Sequence, residues 1–376
     1  MKRIVAAVFH APAGPSDPER FVEAGKRASA EDLIRALRPA VDEILVVTGD
    51  TAWVESLDVT IFRTDPDRPF HLGEGLHRLV DAYRADSLLY FGSGAGGLLS
   101  EGSIDSLRSF AERDEPGALF NNFYSCDFAV VSQASLLASV NLPRTDNALG
   151  FALSDAGIPC HALPRSVETT FDIDTPTDLI LLGAAGRGGG ALRAYVKRFP
   201  MDHPTLDAVC DALTDRTRTV HLAGRVNPAI WAAFVPRVAC RTGGFIEGRG
   251  MRAYGDRRPL FVQQLLRDEG PVAFFERLAG AADAAILDTR PLLASDGALP
   301  PAADRFASDL FLADRVSDPT WRAFTEAAAA APLPVLLGGH SLVSGGLYLL
   351  AEACWKGRDL ARRLHPDLLN GRNDRK

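Results

Sequence analysis

Phe171-Asp172-Ile173-Asp174-Thr175-Pro176-Thr177-Asp178-Leu179 is the stretch on which the fold turns. Its second part opens a helix. Thr175 suits the N-cap, and Pro176 suits the first helical position, where a missing N–H costs nothing. Asp178 stands where a capping box wants an acid, so the stretch predicts a helix over 175–182. The first part reads as extended chain, which turns Asp172 and Asp174, two residues apart, to the same side. Two carboxylates on one side of a loop can hold Mg²⁺ or the hydroxyls of a sugar. Equally, such acids favour a helix N-terminus through its dipole. Spacing alone leaves both readings open.

Upstream of that helix the chain alternates. Short β-rich runs occur at 4–9, 43–48, 59–63, 87–92 and 128–132, and amphipathic stretches of helical period lie between several of them, at 29–37, 76–83 and 104–111. Strands alternating with helices of this length predict βαβ units and a mainly parallel sheet covered on both faces. Downstream comes Gly183-Ala-Ala-Gly-Arg-Gly-Gly-Gly190, which reads as a flexible joint. The second half alternates again, with strands expected at 219–223, 284–288 and 334–338. Its helices are expected near 206–212, 228–234, 260–267, 272–281, 321–330 and 346–361. The expected organisation is a Rossmann-like α/β domain over 1–186, a joint and linker over 187–204, and a second α/β domain over 205–376.

Asp172-Ile-Asp174-Thr-Pro-Thr-Asp-Leu179 resembles the D-I-D-T-P-x-D-L ending of the nucleotidyltransferases related to molybdenum-cofactor and phospholactate guanylyltransferases. The resemblance runs back through Ile158-Pro-Cys-His-Ala-Leu163 and Asp146-Asn147. Val41-Asp-Glu-Ile-Leu-Val-Val-Thr48 is similar to the family's second strand, and Leu72-Gly-Glu-Gly-Leu76 to its turn near the nucleobase. It covers residues 1–185, about half the chain. It implies a GT-A type, Rossmann-like nucleotidyltransferase domain that uses Mg²⁺ and a nucleoside triphosphate. In that scheme Arg20 and Lys26 meet the phosphates, and Asp127, Asp172 and Asp174 meet metal or acceptor, with Asp127 and Asp174 as metal ligands. Gly14, Gly92, Gly94 and Gly97 line the nucleotide.

Two departures stand out. The family's glycine-rich phosphate loop is represented by Ala13-Gly14-Pro-Ser16, then Arg20 and Lys26 in stretched spacing, with Pro15 removing a donor. The family's fourth strand ends in a metal-binding Asp, whereas this chain reads Tyr90-Phe-Gly-Ser-Gly-Ala-Gly-Gly-Leu-Leu-Ser100, with no acid before Glu101. Asp127 is the candidate substitute; an Asp capping a strand start is the plainer reading of it. Gly92-Ser-Gly94-Ala-Gly-Gly97 satisfies G-x-G-x-x-G after a strand, which suits either close backbone approach to a ligand or an ordinary glycine-rich turn. No G-K-[ST] follows, so a P-loop is excluded.

The second half resembles no family. Its expected strand ends carry His221-Leu-Ala-Gly-Arg225, Asp288-Thr-Arg290 and Gly338-Gly-His-Ser-Leu-Val-Ser-Gly-Gly346, and Cys240–Met251 holds Arg249 among glycines. In an open parallel sheet the carboxyl ends of strands share one crevice. Arg225, Arg249, Arg290 and His340 are therefore expected to form an anion site there. Ser341 lacks the second Gly of a G-x-S-x-G elbow, and no H-x-H or H-x-x-x-H supports a metal site.

Composition excludes several classes. The 41 Lys and Arg against 48 Asp and Glu leave a formal charge of -7, and no basic run marks a nucleic-acid partner. No apolar run approaches a membrane span, and Ile4 to Phe9, closed by His10 and Pro12, is too short for a signal peptide. The 5 cysteines are scattered without C-x-x-C, so neither a disulfide framework nor a zinc site is expected, and a cytoplasmic setting is. Two functions are carried forward. One is Mg²⁺-dependent transfer of a nucleotidyl group to a small anionic metabolite. The other is a non-catalytic nucleotide- or metabolite-binding protein on the same scaffold.

Overall fold

The structure, a computed structural model, describes residues 2–358 except 66, 68, 202, 249–258 and 295–298. The first half builds a seven-stranded sheet from β1 (Ile4–His10), β2 (Glu43–Thr48), β3 (Thr60–Arg63), β4 (Ser87–Gly92), β5 (Ala118–Phe120), β6 (Phe128–Val131) and β7 (Cys160–Ala162). The order is β3-β2-β1-β4-β6-β5-β7, parallel except for β6, which runs against β4 and β5. Every residue of β1 is buried, and so is β4 up to Phe91, because helices cover both faces. Such burial suits their unbroken apolar sequences. The second half holds a four-stranded parallel sheet of β8 (Thr219–Gly224), β9 (Arg241–Ile246), β10 (Ala284–Asp288) and β11 (Val335–Gly338), in the order β11-β10-β8-β9. This is a mixed α/β, Rossmann-like architecture with two sheets.

The helix expected over 175–182 runs Pro176–Ala185, and its capping box forms as predicted. Asp178 Oδ2 accepts from the Thr175 N–H at 2.8 Å, the Thr175 hydroxyl at 2.9 Å and the Asp174 N–H at 3.0 Å. The helix is apolar on nearly all sides, and it is buried between the two halves. Leu179, Leu181 and Leu182 join Phe171 and Ile173 in one cluster with Val220, Leu222, Leu336, Leu347 and Leu350 of the second half. A helix hydrophobic all round belongs in an interior.

The glycine-rich segment after it is a tight turn rather than a free linker. Gly186 ends the helix in the left-handed region (φ 65°), and a new helix, Gly190–Arg198, begins almost at once. Asp32 accepts the Ala191 and Leu192 N–H groups at 2.9 Å each, satisfying two donors of that helix's first turn. Arg187 reaches across to Glu352 in a bidentate pair at 2.7 and 2.8 Å.

In the second half the two helices expected near 260–267 and 272–281 lie within Phe261–Ala281, separated at Gly270, whose φ of 78° and ψ of 164° are non-helical, just before Pro271. Strand β9 lies within the glycine-containing stretch 240–251, where no strand is expected from the sequence. No helix among the described residues is long and apolar enough to cross a membrane.

Candidate functional site at the junction of the two sheets

The carboxyl ends of both sheets are brought to the same segment, 171–175. From the first sheet, the turn after β4 pairs with it: Ala95 bridges Asp172, and the Ile173 N–H donates to the Gly94 carbonyl at 3.2 Å. A Cβ on Gly94 would stand 2.3 Å from an Asp172 carboxylate oxygen and 2.9 Å from the Ile173 carbonyl oxygen, backbone that cannot move aside, so the turn favours glycine. From the second sheet, the turn after β11 closes on the other side. The Asp172 N–H donates to Ser341 Oγ at 3.2 Å, and the Ser344 hydroxyl donates to the Thr170 carbonyl at 3.0 Å. The Thr177 hydroxyl donates to the Leu337 carbonyl at 2.7 Å. Gly92–Gly97 therefore makes its close approach to the chain's own acidic segment.

Charge collects here. Asp172 is pushed well above the usual carboxylate range by burial and by the neighbouring Asp174 and Asp127. Burial acts on Asp174 in the same direction, but Lys26, a hydrogen bond from Asp172, His340 and Arg225 together hold it below its ordinary value. Asp127 is pushed up to about 7, by burial first and then by Asp174. Its backbone N–H donates to Asn121 Oδ1 at 2.9 Å, and its Oδ2 accepts from Asn121 Nδ2 at 2.7 Å. Asp174 is solvent-exposed although these groups crowd around it. Nearby, the Tyr90 hydroxyl donates to Asp146 Oδ2 at 3.2 Å.

Of the residues the sequence singles out, Lys26, Asp127, Asp172, Asp174, Arg225 and His340 meet at this junction. Arg20 does not. It is exposed and binds Asp17 and the Pro15 carbonyl on the outer side of the helix Asp17–Leu37. Gly14 offers no phosphate cradle either. The Glu19 carboxylate lies against it, 2.1 Å from where a Cβ would stand, and closes a capping box with Ser16. Two acids in that first turn, Asp17 and Glu19, repel a phosphate there.

The arginines of the second half are already partnered. Arg225 forks onto Asp288 at 2.6 and 2.9 Å, and Arg290 forks onto Asp309 with both contacts at 2.6 Å. Both belong to buried ion pairs, so neither is an open cation for a ligand. Arg249 lies outside the described residues. Sequence reasoning missed Ser341 and Ser344 as holders of the acidic segment. It also missed a buried network at the switch between β1 and β4. There His10 Nδ1 meets Ser93 Oγ at 3.0 Å and His10 Nε2 meets Glu23 at 2.8 Å, while Arg27 ties Glu23 to Asp50. A His at the end of the first apolar run was its one visible sign.

Among the described residues no group of three or more His, Cys, Asp or Glu side chains is arranged to hold a metal ion. Mg²⁺ does not need such a cage. It binds through one or two carboxylates and keeps waters or substrate phosphates as its other ligands. The crowded carboxylates Asp127 and Asp174, hard oxygen donors with excess negative charge between them, fit that requirement.

No protein-family model matches the chain, and no curated protein does. Solved structures do match about half of it. A candidate nucleotide-diphospho-sugar transferase from Desulfovibrio desulfuricans G20 is 13% identical, covers 53% of this chain and 95% of its own, and has a TM-score of 0.39. A cytidylyltransferase from Leptospira borgpetersenii is 16% identical over 52% of this chain and 94% of its own, with a TM-score of 0.38. A 4-diphosphocytidyl-2C-methyl-D-erythritol synthase from Anaerococcus prevotii is 17% identical over 52% and 97%, with a TM-score of 0.33.

Proposed function

We propose that the junction binds a nucleoside triphosphate and transfers its nucleotidyl group to a small anionic acceptor. The observation that carries this reading is the meeting of Asp127, Asp172 and Asp174 with Lys26 and His340 at one solvent-reached point between two sheet ends. Phosphoryl chemistry asks the protein mainly for positioning and charge neutralisation. Lys26 is the cation whose charge acts most strongly on Asp174 and would meet the phosphates. Asp127 and Asp174 would hold Mg²⁺, which when bound neutralises phosphate charge. Asp172, bridged to the turn after β4 and tied to Ser341, would orient Asp174. The second sheet supplies the wall that separates acceptor from bulk water.

One observation favours the second reading, a protein that binds nucleotide without turning it over. No carboxylate follows β4, and the turn there is filled by Asp172 of the same chain. The test is pyrophosphate release from each of the common nucleoside triphosphates, offered with a panel of phosphate monoesters and hydroxy acids. Mg²⁺-dependent release that disappears in Asp174→Asn supports transfer. Nucleotide binding without release from any pair supports the binding protein.

A further inference from the structure

The cleft at the junction has a donor-rich mouth that none of the groups above accounts for. Asn122 and Arg165 line it from the first half and Asn227 and His340 from the second, with Asp127 on the far wall. Arg165 is exposed and makes no ion pair or hydrogen bond among the described residues, unlike Arg225 and Arg290. Asn227 is only 4% exposed, and its Oδ1 is used to accept the Ala229 N–H at 2.9 Å. Its Nδ2 has no partner among the described residues and opens on the cleft. Asn122 is similar: its Oδ1 accepts the Tyr124 N–H at 3.2 Å, which leaves its amide N–H₂ for a ligand.

We propose that Arg165, Asn227 and Asn122 form a subsite for a small oxyanion, a phosphate monoester or a carboxylate. The guanidinium supplies charge and a planar fork, and the two amides supply directed donors. This rests on the reading of the junction as the reaction site, and it assigns the acceptor's anionic group to Arg165 and the two amides at its mouth.

The test is calorimetric titration of the full chain with inorganic phosphate and, separately, acetate. Asn227→Asp keeps the capping oxygen and replaces the donor by a negative charge, so the helix start survives while the subsite is inverted. Arg165→Ala and Asn227→Asp are each expected to weaken phosphate by about tenfold or more, the worth of one charge-assisted hydrogen bond. Arg20→Ala, on the outer side of its helix, is expected to leave it unchanged. Preference for phosphate over acetate identifies a phosphate monoester, and the reverse a carboxylate. No phosphate or acetate binding, or binding that Lys26→Ala abolishes and Arg165→Ala does not, overturns the proposal. Mg²⁺–nucleotide titrations of the same variants separate the two readings. Phosphate bound as predicted without any nucleotide bound leaves the subsite standing and removes the transferase.

Discussion

The Asp172 N–H donates to Ser341 Oγ at 3.2 Å, joining residues 169 positions apart, one from each half of the chain. That bond ties the segment that carries Asp172 and Asp174 to the turn after β11. Ser341→Ala should cost about 1 kcal/mol of stability, the net worth of one such bond. It should also weaken nucleotide binding, because Asp172 then loses one of its two tethers. Urea unfolding and a nucleotide titration of the same variant check both.

The two halves should not fold apart. Phe171, Ile173, Leu179, Leu181 and Leu182 are buried mostly against residues that follow Leu206. A chain ending at residue 186 exposes that apolar surface. It should bind hydrophobic dyes and lose its near-ultraviolet dichroism. Sharp, cooperative unfolding of that fragment would contradict the shared core.

Close packing at the seam should be intolerant of a single methyl. A Cβ on Gly345 would stand 2.3 Å from the Phe171 Cα, backbone that cannot move aside. Gly345→Ala should therefore cost about 1–3 kcal/mol, read from denaturant midpoints. Gly102, which faces open space, is the control and should accept Ala without loss.

Much of this was legible in the sequence, and the rest was hidden for physical reasons. Strands β1, β2, β4 and β10 are continuous buried apolar runs, and they fall within a residue of their expected places. The capping box at Thr175 is local chemistry and forms as read. Strands β5 and β7 have three residues each, too few for any period to show. Strand β9 hides behind Thr242-Gly-Gly244, because its glycines pass so close to β8 that a Cβ on Gly244 would lie 1.9 Å from the Leu222 carbonyl oxygen. The arginines at the strand ends were placed correctly, but their partners were not visible. Asp288 lies 63 positions from Arg225 and Asp309 lies 19 from Arg290, and nothing local announces either pair.

Breaking one of those pairs should be costly. Arg290 and Asp309 are 6% and 0% exposed, so Arg290→Met leaves a buried carboxylate without its cation. The expected loss is about 3–5 kcal/mol. The double variant Arg290→Met with Asp309→Leu should recover much of it, and a thermodynamic cycle in urea measures the coupling.

Stability should fall in mild acid through His203. Burial holds this imidazole down at about 4, with Nε2 donating to the Asp309 carbonyl at 3.2 Å. Its folded value lies below the unfolded one near 6.5, so the unfolded chain binds the extra proton. The stabilisation is complete above that unfolded value and is lost as pH falls toward 4, by about 3 kcal/mol in all. His203→Gln should flatten the slope between those limits.

The central claim is that both halves form one nucleotide site. The most direct measurement is a calorimetric titration of the whole protein with each common nucleoside triphosphate, with and without Mg²⁺. It is run on the wild type, on Asp174→Asn in the first half and on His340→Ala in the second. The account predicts one molecule bound only with Mg²⁺, and a loss of about tenfold or more in both variants. Binding that His340→Ala leaves untouched, or no binding of any nucleotide, would contradict it.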